Sequence, residues 1–180
     1  PTEKWRSAMT IPRELKLVTT DKGLRLASIP VKELETLGTE SASESNWNES
    51  VTLPASTVRL DLVLKRANAS DNARVTFFNA EGEELVFGID GATNRCYIDR
   101  SKSGATSFSA DFLNVAWAPR SSDAQDVQVT FFLDVASLEV FADNGTTTMT
   151  TILFPTSPMN QVKVEGGTVD QARIQTVALE

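Results

Sequence analysis

The chain has 180 residues, of which 41% are hydrophobic and 23% charged, and these proportions are usual for one globular domain. Its net charge of −7 argues against nucleic acid, because phosphate binding needs a concentrated basic patch and none is visible. The absence of histidine excludes Ser-His-Asp and Cys-His catalysis, histidine-ligated metals and histidine pH switches. No apolar run approaches the ~18 residues of a membrane-spanning helix, so no membrane span is expected.

Strand patterns begin near the N-terminus. Apolar and polar residues alternate in the segments 14–20 and 23–30, which predicts a β-hairpin. The segment 30–38 starts with proline, ends with glycine and has apolar residues at helical spacing, which predicts one short helical connector. The polar segment 39–50 is expected to be a surface loop, in which Trp47 stands out.

The middle of the chain and its C-terminal end are patterned in the same way. The segment 57–65 alternates strictly and predicts a half-buried strand. A hairpin is predicted over 73–90 and a further strand over 94–100. The C-terminal sequences "QVKVEGG" and "QARIQTVAL" predict the last two strands.

The segment 126–155 predicts a β-meander. Its tight turn is expected at Asp143-Asn144-Gly145, since these residue types tolerate positive φ. The residues 146–151 are almost all threonine, which favours a strand that is polar on both faces.

The number and spacing of these strands define the fold class. About ten to twelve short strands with turn signals between them favour an all-β fold. We expect an antiparallel β-sandwich of two packed sheets, of the concanavalin or galectin type, with a barrel as the main alternative. The whole chain, 1–180, is expected to be a single sandwich domain.

Groups that could catalyse a reaction are sparse in this sequence. Acidic residues occur near predicted turns, where aspartate commonly caps its own backbone, so they do not indicate the paired carboxylates of a glycosidase. Cys96 has no histidine or cysteine neighbour and is expected to be a small buried side chain. No phosphate-binding glycine-rich loop and no EF-hand loop occurs. No catalytic residue, metal site or cofactor is therefore predicted.

Three aromatic residues are candidates for stacking against sugar rings, namely Trp47, Tyr97 and Trp117. Both tryptophans lie in loop-like sequence, "ESNWNES" and "NVAWAPRS". The alternative for each of them is packing in the core or in an interface. Two of the three would have to lie exposed on one face, beside polar donors, to form a sugar-binding platform.

Four stretches, in this order along the chain, carry a resemblance to a known family: "WRSAMTIPREL", "PVKELETL", "YIDRSKSG" and "SLEVFADNG", the last leading to "ILFP". They resemble the C-terminal sandwich of glycoside hydrolase family 32, which contains levanases, inulinases, invertases and other β-fructofuranosidases. The resemblance covers nearly the whole chain. It departs from the family pattern at Asp134-Val135-Ala136, where members often have an Asp-Arg pair.

The resemblance implies a partner in the same polypeptide. Family members have an N-terminal five-bladed β-propeller whose Asp nucleophile and Glu acid/base hydrolyse fructosyl linkages by double displacement. Its Asn-Asp-Pro, Arg-Asp-Pro and Glu-Cys motifs do not occur in this sequence, so no catalytic residue is carried over. The propeller is thus expected to be absent from this chain, whose start at Pro1 hints at a piece of something longer.

Three functions follow from these observations. The first, which we favour, is an accessory domain that stabilises a fructan or sucrose hydrolase, docks on its propeller and helps to shape its substrate cleft. The second is an independent fructan-binding module, and the third, which the missing motifs disfavour, is an enzyme in its own right. The first predicts an interdomain contact at Trp5, Arg6, Met9, Pro12 and Arg13.

Two further expectations attach to the accessory-domain hypothesis. An isolated domain with an apolar interdomain contact should tend to form a homodimer. The sequence leaves the compartment open. An extracellular or periplasmic location is favoured for the longer protein, with a cytoplasmic one as the alternative.

Overall fold

The computed structural model describes residues 7–42, 47 and 50–177, and it confirms the predicted antiparallel β-sandwich. Over these residues, two six-stranded sheets pack face to face, and a two-stranded hairpin lies outside them. The strands are β1 (Arg13–Thr20), β2 (Gly23–Pro30), β3 (Gly38–Ala42), β4 (Val51–Thr52), β5 (Val58–Lys65), β6 (Ala73–Phe78), β7 (Glu84–Asp90), β8 (Arg95–Lys102), β9 (Ala116–Pro119), β10 (Val127–Asp134), β11 (Ser137–Ala142), β12 (Thr147–Ile152), β13 (Gln161–Glu165) and β14 (Thr168–Val177).

The strand order separates the hairpin from both sheets. Sheet I has the order β12-β11-β10-β5-β14-β3, and sheet II has the order β4-β13-β6-β7-β8-β9. Strands β1 and β2 pair with each other along their whole length. A two-stranded hairpin alone is marginally stable in water, so this one depends on what it packs against.

The core lies between the inner faces of the two sheets. Strand β5 shows the expected alternation, because every second residue is buried and its neighbours are half-buried; the buried residues are Val58, Leu60, Leu62 and Leu64. Phe131 of sheet I meets Phe77 and Phe87 of sheet II edge-on, at centroid distances of 5.3 and 5.4 Å. Each such aromatic contact adds about 1 kcal/mol to simple area burial, so this trio fastens the sheets together at their centre.

Two segments predicted to be irregular belong to the sheets. Residues 39–42, which begin the predicted surface loop, belong to the edge strand β3, which pairs with β14. Trp117, also expected in a loop, lies in β9 and pairs with β8. Edge strands need no continuous apolar face, so their sequences lack the alternation that identifies a central strand. The predicted helical connector is a 3-10 helix, Lys32–Thr36, and a second one covers Ala110–Leu113.

The threonine-rich strand β12 is not solvated on both faces, contrary to the sequence prediction, because one face is buried. Thr147 and Thr151 are buried. The Thr147 hydroxyl donates to the Pro119 carbonyl at 3.1 Å, and Arg100 Nη1 donates to Thr151 Oγ1 at 3.1 Å. Because each hydroxyl has a partner, threonine takes the inward positions without leaving a buried polar group unpaired.

The single cysteine is buried, as predicted. Cys96 has no exposed surface, and burial raises the pKa of its thiol to about 12. At pH 8 this lowers the thiolate fraction about a thousandfold relative to an ordinary cysteine. We therefore expect a thiol reagent to label Cys96 only as fast as the domain unfolds, with the rate rising with added urea. Labelling of the folded chain within minutes, independent of urea, would contradict this placement.

Candidate functional site

Two of the stretches that carry the family resemblance meet in space. The Ile11 amide donates to Glu139 Oε1 at 2.8 Å. The Arg13 guanidinium forms an ion pair with the Glu139 carboxylate and donates to Thr150 Oγ1 at 3.0 Å. It also lies over the Phe141 ring, 4.9 Å from the centroid. These contacts attach the N-terminal hairpin to the outer face of sheet I.

Strand β11 is buried on both faces for this reason. Leu138, Val140 and Ala142 point into the core, whereas Glu139 and Phe141 lie on the opposite face beneath the residues before β1. The Glu139 side chain is 7% exposed and its partner Arg13 is 20% exposed. A charge pair screened from water to this degree holds its partners more firmly than a surface pair does. The meander thus fills the core and carries the hairpin.

The turn after β11 supports the hairpin from a second direction. Asp143, Asn144 and Gly145 have φ values of 52°, 55° and 79°, as the sequence predicts for a tight turn. The Ser28 amide of β2 donates to the Gly145 carbonyl at 2.9 Å. A Cβ added to Gly145 would overlap the Ser28 carbonyl oxygen, closer than any real contact. Gly145 is therefore required both by the turn and by the approach of β2.

Replacing Gly145 with alanine is expected to lower the free energy of unfolding by roughly 2 kcal/mol or more, because the left-handed conformation and the contact with Ser28 both resist it. Gly82→Ala is the matched control, since Gly82 has φ of 77° and open space within 4 Å of the point that a Cβ would occupy. Urea titration measures both losses, and hydrogen exchange over 23–30 reports displacement of β2. Equal losses in the two variants would show that β2 does not press on the turn.

A buried ion pair holds the same turn from inside. Arg120 donates to Asp143 through Nε at 2.9 Å and through Nη2 at 2.8 Å, and its side chain has no exposed surface. Arg120 Nη1 also donates to Asn94 Oδ1 at 3.2 Å. Close by, Lys22 at the tip of the hairpin pairs with Asp123 at 2.7 Å. The hairpin is thus held near its base by Glu139 and by the turn, and the exposed Lys22–Asp123 pair adds a weak contact at its tip.

The outward side of the hairpin is apolar and uncovered. Its four leucines, which we call the leucine face, are Leu15, Leu17, Leu24 and Leu26, and they are 62%, 69%, 61% and 59% exposed. Leu17 lies directly opposite Leu26 in the β1–β2 register. Covering each leucine would contribute roughly 1–2 kcal/mol, so together they form an exposed apolar patch of the kind that marks an interaction site.

The predicted interdomain residues have different placements. Met9 is 98% exposed, Pro12 is exposed, and Arg13 is committed to Glu139. Trp5 and Arg6 lie outside the described residues. The leucine face was not among the predicted contact residues, although the alternation in 14–20 and 23–30 was the signal that could have identified it.

The three candidate sugar-stacking residues are not brought together as a set. Trp47 is 7% exposed and belongs to the hydrophobic core, which corrects its assignment to an exposed platform. It fills space between the sheets, where an aromatic side chain buries the most apolar surface. Tyr97 and Trp117, by contrast, are direct neighbours on the outer face of sheet II, with ring centroids 5.1 Å apart.

The described residues contain no group of three or more acidic, histidine or cysteine side chains placed to hold a metal ion. Among them there is also no helix of the length and apolarity needed to cross a bilayer.

The described residues thus form a β-sandwich with an outer hairpin and an uncovered apolar face. Comparison with known proteins gives its family. The profile described as "Glycosyl hydrolases family 32 C terminal" matches residues 27–178. The chain belongs to this family of C-terminal domains. The match begins within β2, so β1 and the whole leucine face precede it.

Individual relatives agree with this assignment. A levanase of Bacillus sp. (strain L7) is 26% identical over the full chain, which covers 21% of that protein. An extracellular exo-inulinase of Aspergillus ficuum is 29% identical over 97% of the chain and 35% of that protein. The crystal structure of an exo-inulinase from Aspergillus awamori superposes with a TM-score of 0.84 at 28% identity, over 99% of this chain and 37% of that one. The chain thus spans about a third or less of these relatives.

Proposed function

We propose that the chain is the accessory domain of a longer fructan hydrolase and that the leucine face packs against its catalytic β-propeller. The observation that carries this proposal is a rigidly anchored hairpin whose outward side is apolar and bare. The relatives support the choice of partner, since a levanase and exo-inulinases contain a matching domain within a chain about three times as long or more. Hydrolysis of levan-, inulin- or sucrose-type fructosides belongs to that catalytic part.

The role of the domain is to stabilise the folded state of the catalytic propeller. Docking removes four leucines from water and adds the sandwich core to the cooperative unit, which raises the free energy needed to open the propeller. The contacts at Glu139 and Gly145 hold the base of the hairpin on sheet I. The docked domain also helps to shape the substrate cleft.

The test compares the catalytic region produced with and without this domain. We expect both forms to hydrolyse levan or inulin, with the form lacking the domain unfolding at a temperature lower by roughly 5 °C or more. It should also lose activity faster on heating. Equal thermal stability and equal inactivation rates in the two forms would contradict the stabilising role, and absence of fructan hydrolysis in the complete polypeptide would contradict the substrate class.

Pairing of two copies through the leucine face is the competing arrangement. Sedimentation of the 180-residue chain distinguishes the two. The proposal expects weak self-association that an excess of catalytic region abolishes, because both partners compete for the same leucines. A tight dimer that persists in the presence of the catalytic region would show that the face is built for a second copy.

A further inference from the structure

The outer face of sheet II carries a straight row of side chains that the docking function does not use. In the strand register Glu165 lies beside Arg74, Arg74 beside Gly88, Gly88 beside Tyr97, and Tyr97 beside Trp117. We call these five residues the transverse row. It crosses five neighbouring strands and is about 19 Å long at the usual strand spacing.

The aromatic end of the row is exposed and preorganised. Trp117 is 44% exposed, although it lies within a strand. Tyr97 packs against it with an interplanar angle of 43°, and the Arg95 guanidinium lies over the Trp117 ring, 4.8 Å from its centroid. Two neighbouring rings fixed in this way present apolar faces on which the C–H groups of a sugar ring can stack.

Gly88 determines how Tyr97 lies. A Cβ added at position 88 would overlap both Cζ and the hydroxyl oxygen of Tyr97. The tyrosine ring therefore lies over Gly88, extending from Trp117 toward Arg74, instead of projecting away from the sheet. A larger residue at position 88 would push the ring away and break the row at its centre.

The other end of the row is polar and charge-balanced. Arg74 donates to both carboxylate oxygens of Glu165, each at 2.9 Å. A shallow cavity of about 260 Å³ lies between this pair, Tyr97 and Asn72. Burial raises the pKa of Tyr97, which keeps its hydroxyl protonated as a donor. With its charges paired, this end suits neutral hydroxyl groups better than a phosphate or an ammonium group.

We infer that the transverse row is a binding surface for a neutral glycan chain, separate from the surface that docks on the catalytic domain. Sugar rings stack on Trp117 and Tyr97, and the next residues of the chain place their hydroxyls against Arg74, Glu165 and the tyrosine hydroxyl. The hairpin packs on the outer face of sheet I, so the two surfaces lie on opposite sides of the sandwich. The row therefore stays open when the leucine face is covered.

The chemical class of the glycan is a fructan, and this choice alone rests on the proposed function. The charges exclude charged polymers without reference to the proposed function. A net charge of −7 disfavours polyanions, and the row offers no unpaired carboxylate cluster that could bind a polycation. A surface that holds the polymer on the far side of the domain would keep a catalytic neighbour near its substrate and raise the local substrate concentration.

The test is affinity electrophoresis of the 180-residue chain in native gels that contain levan, inulin, starch or a soluble β-glucan. We expect levan or inulin to retard the chain, and Trp117→Ala and Tyr97→Ala each to weaken the apparent affinity about tenfold or more. Gly88→Ala retains both rings but displaces Tyr97, so it should weaken binding as well. Val135→Ala, an exposed apolar change at the β10–β11 turn and outside both proposed surfaces, is the control and should bind as the parent does.

Near-ultraviolet circular dichroism and thermal unfolding verify that each variant is folded. No retardation by any of the four polymers would overturn the proposal, as would retention that survives both aromatic substitutions. Retardation only by starch or β-glucan that is lost in Trp117→Ala would support the row as a glycan site and contradict the choice of fructan. If the transverse row does not bind glycan, the docking proposal is unaffected, because the two surfaces are tested through different residues.

Discussion

Replacing Arg120 with alanine is expected to lower the free energy of unfolding by about 3–5 kcal/mol. The substitution leaves the Asp143 carboxylate buried without its bidentate partner, and an uncompensated buried charge is among the costliest defects in a protein. It also releases the turn that carries β2, so the hairpin should loosen together with the core. For a chain of this size the melting temperature should fall by roughly 10 °C.

The matched control for this substitution is Arg74→Ala. Arg74 and Glu165 form an equally well-aligned pair, but their side chains are 50% and 41% exposed. Water already solvates both charges there, so the control should lose less than about 1 kcal/mol. Urea titration and calorimetry of the two variants provide the comparison. A loss in Arg120→Ala as small as in the control would refute the claim that this pair fixes the turn.

The double substitution Leu17→Asp and Leu26→Asp is expected to weaken association with the catalytic region at least about 100-fold. The two residues face each other at the centre of the leucine face, so docking would have to bury two carboxylates in place of two apolar side chains. Isothermal titration of the separately produced catalytic region measures the change. The stability of the chain itself should fall by no more than about 1–2 kcal/mol, because both positions are exposed and the cost comes only from two like charges placed opposite each other in the hairpin.

Val135→Asp provides the control for this experiment. Val135 is 60% exposed, at the β10–β11 turn outside the leucine face, so it matches the two leucines in exposure but not in position. It should leave the affinity unchanged. If Val135→Asp weakens association as much as the leucine substitutions do, the loss reflects added negative charge and the leucine face is not the contact.

The regular parts of the fold could be predicted because their determinants are local. Alternation in 57–65 defines β5, and the Asp143-Asn144-Gly145 sequence defines a left-handed turn whatever surrounds it. Strand β3 could not be predicted in the same way, since its polar sequence carries no alternation and its strand conformation comes from pairing with β14.

The docking surface was only partly predictable for a related reason. Alternation in 14–20 and 23–30 indicates that the hairpin has an apolar side, but it does not indicate whether the core or another domain covers that side. The contacts that decide this, such as Arg13 with Glu139, join residues more than a hundred positions apart and leave no local signal. Likewise, only the folded structure shows that Tyr97 and Trp117 are neighbours and that Trp47 is buried.

Hydrogen exchange of the hairpin tests the central claim most directly. Amide exchange over residues 13–30 is measured by mass spectrometry in the chain alone and in the complete polypeptide with its catalytic region. The proposal predicts slower exchange in the hairpin when the catalytic region is attached, with β8 and β9 on the far sheet unchanged. Unchanged exchange in the hairpin, or protection confined to β8 and β9, would contradict docking through the leucine face.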